Sequence, residues 1–264
     1  MNRARGTIER LWDAVERAER LPTAGVELWR CRLPLLRTVE IDEAVRLGWL
    51  TGDERAMAHR KANAELRSMF CARRLLRRMV VATRVGRSPA EVRVLSRCAD
   101  CGETAHGQPY VDVSEGGPLR MSTSSAGGWS VVAIGEDSVG VDIESRIRAE
   151  DLVLERLIRV VPGWRLVAEI CPSGSSPLEI WTALEALSKT TGRGLVASER
   201  ELESAIDDHR LVWLTDQPGL VTCVATSIAP AEIVTFDLPF ADAIDASIEG
   251  RITPSETSRS SVRK

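Results

Sequence analysis

Residues Trp129 to Glu144 constrain the fold of this chain more than any other stretch. They contain two runs of mostly apolar, often β-branched residues, Trp129–Ile134 and Val139–Ile143, separated by the polar segment Gly135–Ser138. Such runs on either side of a short turn are typical of a β-hairpin. We therefore expect two adjacent antiparallel strands here and a core that covers one of their faces.

The second run carries the first candidate functional side chains. Because side chains alternate between the two faces of a strand, we expect the β-branched residues of Val139–Ile143 to enter the core. The opposite face then presents Gly140, Asp142 and Glu144. Carboxylate oxygens suit Mg²⁺, which usually binds one or two carboxylates together with substrate phosphates. A strand with an acidic face turned to solvent is the alternative.

A helix with strong terminal signals follows further along the chain. Ser176–Glu179 supplies a serine N-cap, a proline at the first helical position and a glutamate three residues after the cap, and Gly192 ends the helix. Glu185 and Lys189 are one turn apart and share a face. An ordinary exposed ion pair is the alternative. Lys189 is notable because only three of the 35 basic residues are lysines.

The remaining chain predicts a mixture of helices and short strands. The expected elements are a helix over Thr7–Arg20, a strand over Val26–Leu33, a long helix from about Glu54 to Thr83, irregular structure with short strands over Gly86–Pro118, a glycine-rich loop over Ser122–Gly128, and a second hairpin of Leu211–Leu214 with Leu220–Thr226. We expect Ser255–Lys264, which has few apolar residues, to be disordered.

Composition and charge exclude several classes of protein. A chain of 264 residues with 44% hydrophobic and 28% charged residues can form one large or two small domains. Its net charge of −3 argues against nucleic-acid binding, although residues 55–78 carry eight basic residues and one acid. No stretch approaches about 18 uninterrupted apolar residues, and the N-terminus lacks an apolar leader. We expect a cytoplasmic protein, a monomer, without membrane contacts.

The six cysteines do not indicate a disulfide framework in a chain of this length. Cys98, Cys101 and His106 have a local spacing that occurs in zinc sites, but a structural zinc site needs four ligands and no second pair follows. A reduced pair in a turn is the favoured interpretation, and bound zinc stays the alternative.

The strand and the capped helix together resemble a known family. Gly140–Glu144 (GVDIE), followed by Trp181–Leu195 (WTALEALSKTTGRGL), is similar to the paired motif of the Sfp-type 4′-phosphopantetheinyl transferases. Four further segments are similar to parts of that family, in the same order: its first strand, its basic helix, a cysteine-containing stretch of actinobacterial members and its serine–glycine loop. These segments are Val26–Leu33, Arg67–Arg77, Cys98–Pro109 and Ser122–Gly128.

The resemblance implies a role for each matching residue. Asp142, Glu144 and Glu185 would bind Mg²⁺ against the pyrophosphate of coenzyme A. Glu185 would also be the general base for the carrier-protein serine, and Lys189 would contact the phosphates, so these two are the expected catalytic residues. The expected coenzyme-binding residues are Arg67, Arg73, Gln108, Pro109, Ser124, Ser125 and Lys189.

The implied reaction transfers 4′-phosphopantetheine from coenzyme A to a serine of an apo acyl or peptidyl carrier protein and releases 3′,5′-ADP. The implied fold is an α+β pseudodimer of two similar α+β halves with the active site between them. We accordingly divide the chain into an N-terminal helical extension (1–24), a first half with the basic helix (25–118), a second half with the metal site (119–245) and a disordered tail (246–264).

Three positions depart from the family's motifs. Leu184 and Gln108 stand where the family has lysines, and Ser125 stands where it has a phosphate-binding histidine. Charge-assisted hydrogen bonds contribute roughly 1.5–3 kcal/mol each, so these changes weaken the expected contacts to coenzyme A. The alternative function is therefore a non-catalytic, transferase-like module that binds a carrier protein or regulates a synthase.

Overall fold

A computed structural model provides the fold. It describes residues 6–18, 25–99, 101–103, 107–111, 119–146, 151–214, 217–227 and 232–238. His106 and the predicted C-terminal tail lie outside these ranges. Within them, no helix has both the length and the apolar character needed to cross a membrane.

The described residues form eight α-helices and nine strands. The helices are α1 (Thr7–Arg17), α2 (Thr38–Arg46), α3 (Gly52–His59), α4 (Ala64–Val85), α5 (Asp151–Ile158), α6 (Trp164–Ile170), α7 (Pro177–Thr190) and α8 (Glu199–Asp208). The strands are β1 (Gly25–Arg32), β2 (Val94–Arg97), β3 (Gln108–Val111), β4 (Arg120–Ala126), β5 (Trp129–Gly135), β6 (Val139–Ser145), β7 (His209–Leu214), β8 (Leu220–Ser227) and β9 (Glu232–Leu238). This composition confirms the α+β class.

The strands form two sheets. The larger sheet has the order β2-β3-β4-β5-β1-β9 and the smaller has the order β6-β8-β7. All neighbouring pairs are antiparallel except β1 and β9, which are parallel. The larger sheet thus takes strands from both of the predicted halves of the chain, 25–118 and 119–245.

The hydrophobic core is arranged in layers. Buried residues of α1 and α4 pack on one face of the larger sheet, and β1 and β5 pack through their other face against β6 and β8. The far side of the smaller sheet is covered by α6, α7 and α8. As predicted from the alternation, Val139, Val141 and Ile143 of β6 enter the core. The opposite face of β6 is consequently turned toward α7.

The predicted hairpin of Trp129–Ile134 with Val139–Ile143 is wrong. β5 pairs with β4 and β1, whereas β6 pairs with β8 in the other sheet. The cause is a two-residue turn at Gly127 and Gly128, whose φ angles of 58° and 83° suit the tight connection of β4 to β5. The loop predicted over Ser122–Gly128 is also wrong. Ser122–Ala126 belong to strand β4, and Gly127 and Gly128 form the turn that follows it.

Two further elements differ from expectation. The long helix predicted from Glu54 to Thr83 is two helices, because the Asn63 side chain accepts a hydrogen bond from the Leu66 amide and begins α4 anew. Strand β9 was not predicted. The strand over Val26–Leu33 and the second hairpin, β7 with β8, are confirmed.

Gly140 allows strand β6 to lie directly against helix α7. A Cβ atom at this position would lie 1.9 Å from the carbonyl oxygen of Ala186 and 3.0 Å from Cγ2 of Thr190. The nearer of these atoms is helix backbone, which cannot move aside alone. The absence of a side chain therefore sets the distance between the strand that carries Asp142 and the helix that carries Lys189.

Replacing Gly140 with alanine should lower the free energy of unfolding by about 3 kcal/mol, the upper end of the usual cost of overpacking. Urea unfolding of the purified variant measures this effect. Gly52→Ala is the matched control, because a Cβ atom at Gly52 would meet no heavy atom within 4 Å. Equal stability of the two variants would contradict the close packing of β6 on α7.

Candidate active site

Helix α7 begins where its sequence predicts. The Ser176 hydroxyl accepts a hydrogen bond from the Glu179 amide, and the Glu179 carboxylate accepts one from the Ser176 amide at 2.8 Å. This reciprocal capping fixes the start of the helix and hence which side chains face the smaller sheet. Glu185 and Lys189 lie on the side of α7 that approaches Asp142.

Asp142 is the most deeply buried charged residue of the site, with a relative exposure of 1%. Its Oδ1 atom accepts hydrogen bonds from Lys189 Nζ at 2.6 Å and from the Ser124 hydroxyl at 2.7 Å. Its Oδ2 atom is also buried but has no hydrogen-bond partner among the described residues. A buried carboxylate oxygen without a donor is costly to leave unpaired, so a water molecule or a cation at this atom would stabilise it.

Lys189 joins the helix to the strand. Its ammonium group bonds to Asp142 and to the main-chain oxygen of Val141 at 3.0 Å, and it lies 3.4 Å from Oε2 of Glu185. An ammonium group has three donors, and three acceptors are available here. The pair of Glu185 and Lys189 is therefore more than the exposed helix ion pair considered from the sequence, because its lysine also binds the neighbouring strand.

Glu144 lies on the same face of β6 and is half-buried. The indole N–H of Trp181, on α7, donates to Glu144 Oε1 at 3.3 Å. Burial and the neighbouring negative charge of Asp142 raise the pKa of Glu144, and the Trp181 hydrogen bond and the charge of Lys189 oppose that rise. The strand with a solvated acidic face is thereby excluded, since Asp142 is buried and Glu144 is bonded to α7.

Glu185 has the most strongly shifted carboxyl group of this cluster. Burial, reinforced by the negative charges of Asp142 and Glu144, raises the pKa of Glu185 from 4.5 to about 7, against the opposing effect of Lys189. A carboxyl group with a pKa near neutrality can both accept and release a proton under ordinary conditions. Its position and its pKa together suit proton transfer.

The chemistry of these donors fits a magnesium ion, which prefers carboxylate oxygens. Among the described residues Asp142 Oδ2 has no hydrogen-bond partner, and Glu185 is close enough to Asp142 and Glu144 for their charges to raise its pKa. In the part of the chain that the structure describes, no three histidine, cysteine, aspartate or glutamate side chains are grouped closely enough to surround one metal ion. A site with all three carboxylates as ligands would thus require their side chains to converge.

A cavity of about 520 Å³ opens beside Lys189. Three of the residues expected to bind coenzyme A, Gln108, Pro109 and Lys189, line it together. Its other lining residues are Cys98, Gly107, Met121, Ser122, Thr123, Gly192, Arg193, Gly194 and Val196. The volume lies within the usual range for small-molecule sites, about 300–1,000 Å³.

The structure does not bring every expected residue to this place. Arg67 lines a separate groove of about 600 Å³ formed with α2 and α3, and Arg73 is exposed on α4. Ser124 bonds to Asp142, whereas the Ser125 hydroxyl donates to that of Ser130 at 3.0 Å. The expected site thus divides into a carboxylate–lysine cluster with an adjoining cavity and the basic helix α4, none of whose residues lines that cavity.

Leu184 does not face the site at all. Its side chain is fully buried in the core beneath the smaller sheet, one residue before Glu185. A leucine at this position therefore contributes packing, and a lysine here would introduce a charge into an apolar layer.

Sequence reasoning missed Trp181 as a site residue and Ser122 as a residue that supports β6 beside the site. The Ser122 hydroxyl accepts a hydrogen bond from the Val141 amide at 3.0 Å, and Trp181 binds Glu144. The helical spacing of Trp181 and Glu185 could have placed the indole on the active face. No pattern in the sequence indicates the role of Ser122, because the neighbours of β6 could not be predicted from the sequence.

Comparisons with known proteins add no support to the resemblance to the transferase family, which therefore depends on the motif residues alone. A scan against protein-family models gives no match, and a search of curated proteins gives none either.

Glu185 should make stability depend on pH. Its folded pKa of about 7 exceeds its ordinary 4.5, so the native protein retains a proton that the unfolded chain releases, and stability falls as the pH rises through this interval. Glu185→Gln should remove up to about 3 kcal/mol of this fall, since one pKa unit corresponds to about 1.4 kcal/mol.

Urea unfolding at pH 5 and pH 8 measures the difference. The exposed Glu203 of α8 provides the control variant, Glu203→Gln, which should keep the wild-type pH dependence. The same fall in stability in Glu185→Gln as in the wild type would contradict the raised pKa.

Proposed function

We propose that this protein is a 4′-phosphopantetheinyl transferase, which moves the phosphopantetheine group of coenzyme A to a serine of an apo acyl or peptidyl carrier protein. The observation that carries the proposal is the meeting of Asp142, Glu185 and Lys189 within hydrogen-bond or ion-pair distance, from two distant segments of the chain. These segments are the two parts of the family motif, so the resemblance and the geometry agree.

The carboxylates of Asp142, Glu144 and Glu185 would hold the magnesium ion, and Oδ2 of Asp142 is the oxygen that has no hydrogen-bond partner among the described residues. When bound, the ion would neutralise charge on the pyrophosphate of coenzyme A. Glu144 is kept in place for this role by the indole of Trp181, and Asp142 by Ser124 and Lys189.

Glu185 would act as the general base. Its carboxylate accepts the proton of the carrier serine as the serine oxygen bonds to the phosphorus of the phosphopantetheine group. The bond between this phosphorus and the bridging oxygen breaks, and 3′,5′-ADP leaves with the electron pair. General-base catalysis of this kind requires a positioned carboxylate, which α7 supplies at Glu185 beside Lys189.

Lys189 would offset the negative charge that develops on the leaving group. Its ammonium lies 3.4 Å from Glu185, a longer contact than its bonds to Asp142 and Val141. Exchanging this longest contact for a phosphate oxygen would let Lys189 bind substrate while it stays attached to β6. The same exchange would release Glu185 for proton transfer.

The proposal includes a pseudodimeric fold, a monomeric state and a cytoplasmic location. Support for the pseudodimer comes from the long helices, since α4 packs on antiparallel strands of the larger sheet and α7 packs on those of the smaller one. Arg67 and Arg73 would then serve the part of the ligand or carrier protein that lies outside the 520 Å³ cavity.

A non-catalytic carrier-binding module is the second candidate function. The observation that favours it is the neutral character of Gln108 and Ser125, the latter already bonded to Ser130. Lys189 also has all of its donors directed at groups of the protein itself. A module of this kind would bind a carrier protein without transferring a group to it.

Incubation with coenzyme A, Mg²⁺ and a panel of apo carrier proteins, followed by intact mass measurement, distinguishes these functions. The transferase should add one phosphopantetheine group. Glu185→Gln should slow transfer by at least about 100-fold, the low end of general-base contributions, while Glu203→Gln on exposed α8 should transfer at the wild-type rate. Carrier binding without any mass increase would favour the second function.

A further inference from the structure

The outer edge of β6 is closed by side chains instead of by another strand. β6 pairs with β8 along one edge, while β4 of the larger sheet lies beside the other. At Val141 the amide donates to the Ser122 hydroxyl at 3.0 Å, and the carbonyl accepts from Lys189. Side chains thus satisfy main-chain groups that an edge strand would otherwise leave unpaired.

Ser124 extends this junction by one step along β4. Ser122 and Ser124 are two residues apart and therefore project from the same face of the strand. The Ser122 hydroxyl binds the main chain of β6, whereas the Ser124 hydroxyl donates to Oδ1 of Asp142 at 2.7 Å. Ser124 is thus the described link between β4 and a carboxylate of the candidate site.

The hydrogen bonds of Asp142 are strongly uneven. Oδ1 receives donors from β4 and from α7, and Oδ2 receives none from the described residues although it is buried. The terminal torsion of aspartate is broad and roughly two-fold, so one donor alone would fix the carboxylate weakly. Two donors from different elements, both on Oδ1, hold the group in one orientation.

We propose that Ser124 is a positioning residue that turns Oδ1 of Asp142 toward Lys189 and leaves Oδ2 available for the cation bound with the substrate. This inference rests on the proposed function and replaces direct binding of coenzyme A as the main role of Ser124. Hydrogen-bond partners of metal ligands orient those ligands, and their loss typically lowers metal affinity about 10–100-fold.

The test measures binding of Mn²⁺ alone to the full chain by electron paramagnetic resonance, together with thermal unfolding of each variant. Ser124→Ala should weaken Mn²⁺ binding at least about tenfold, and Ser124→Thr, which restores a hydroxyl, should recover most of that loss. Ser204→Ala is the matched control, since Ser204 is exposed on α8 and its hydroxyl bonds to Asp208, away from the carboxylate cluster.

A second control distinguishes two possible effects of Ser124, orientation of the Asp142 carboxylate and attachment of β6 to β4. Ser122→Ala removes another bond across the same junction without touching a carboxylate, so it should lower the unfolding temperature while largely preserving Mn²⁺ affinity. Equal losses of Mn²⁺ affinity in Ser122→Ala and Ser124→Ala, or no loss in Ser124→Ala, would overturn the inference.

The outcomes also distinguish this inference from the proposed function. Mn²⁺ binding that depends on Ser124, in a protein that transfers no phosphopantetheine, would retain the positioning role and reject the transferase. Transfer activity in a protein whose Mn²⁺ affinity does not depend on Ser124 would support the transferase and reject the positioning role of Ser124. A wild-type protein that binds no Mn²⁺ would reject both the metal site and the role of Ser124.

Discussion

The candidate site depends on the contacts that the ammonium group of Lys189 makes. It reaches from helix α7 to the main chain of β6 and to Asp142, and it also lies beside Glu185 of its own helix. This contact is possible because Gly140 lets the strand lie directly on the helix backbone. One lysine and one glycine thus join two distant segments of the chain into a single polar cluster.

The cluster places three carboxylates around one lysine charge. Transfer of charged groups from water into a protein interior is costly unless they are paired, and Lys189 pairs directly with only two of the three. Burial, together with this excess of negative charge, raises the pKa values of Glu144 and Glu185, and Oδ2 of Asp142 is left without a hydrogen-bond partner among the described residues. Such an arrangement favours an additional positive charge, which a divalent cation would supply.

Local features of the fold could be predicted where neighbouring residues determine them. The capping of α7 by Ser176 follows from side chains within one helical turn, and the inward face of β6 follows from alternation along a single strand. The placement of Glu185 and Lys189 on one face of α7 likewise follows from their spacing of four residues.

Pairing between strands could not be predicted, because it depends on contacts between distant segments. β6 follows β5 closely in sequence but pairs with β8, and β9 joins the larger sheet beside β1. The same limit applies to the site, because the hydrogen bond from Ser124 to Asp142 joins a strand of the larger sheet to a strand of the smaller sheet. Leu184 is a contrasting case, because its helical spacing with Ile180 and Leu187 already indicates an apolar face of α7 that packs in the core.

A crystal structure with coenzyme A and Mn²⁺ bound would show whether the cluster around Lys189 binds the cation and the pyrophosphate, because it locates both relative to Lys189. We expect an anomalous-scattering peak for manganese at coordination distance from Asp142 Oδ2, with phosphate oxygens against Lys189 and the rest of the ligand in the cavity beside Gln108. Coenzyme A bound in the groove beside Arg67, with Lys189 and Asp142 unchanged and no manganese between the carboxylates, would contradict it.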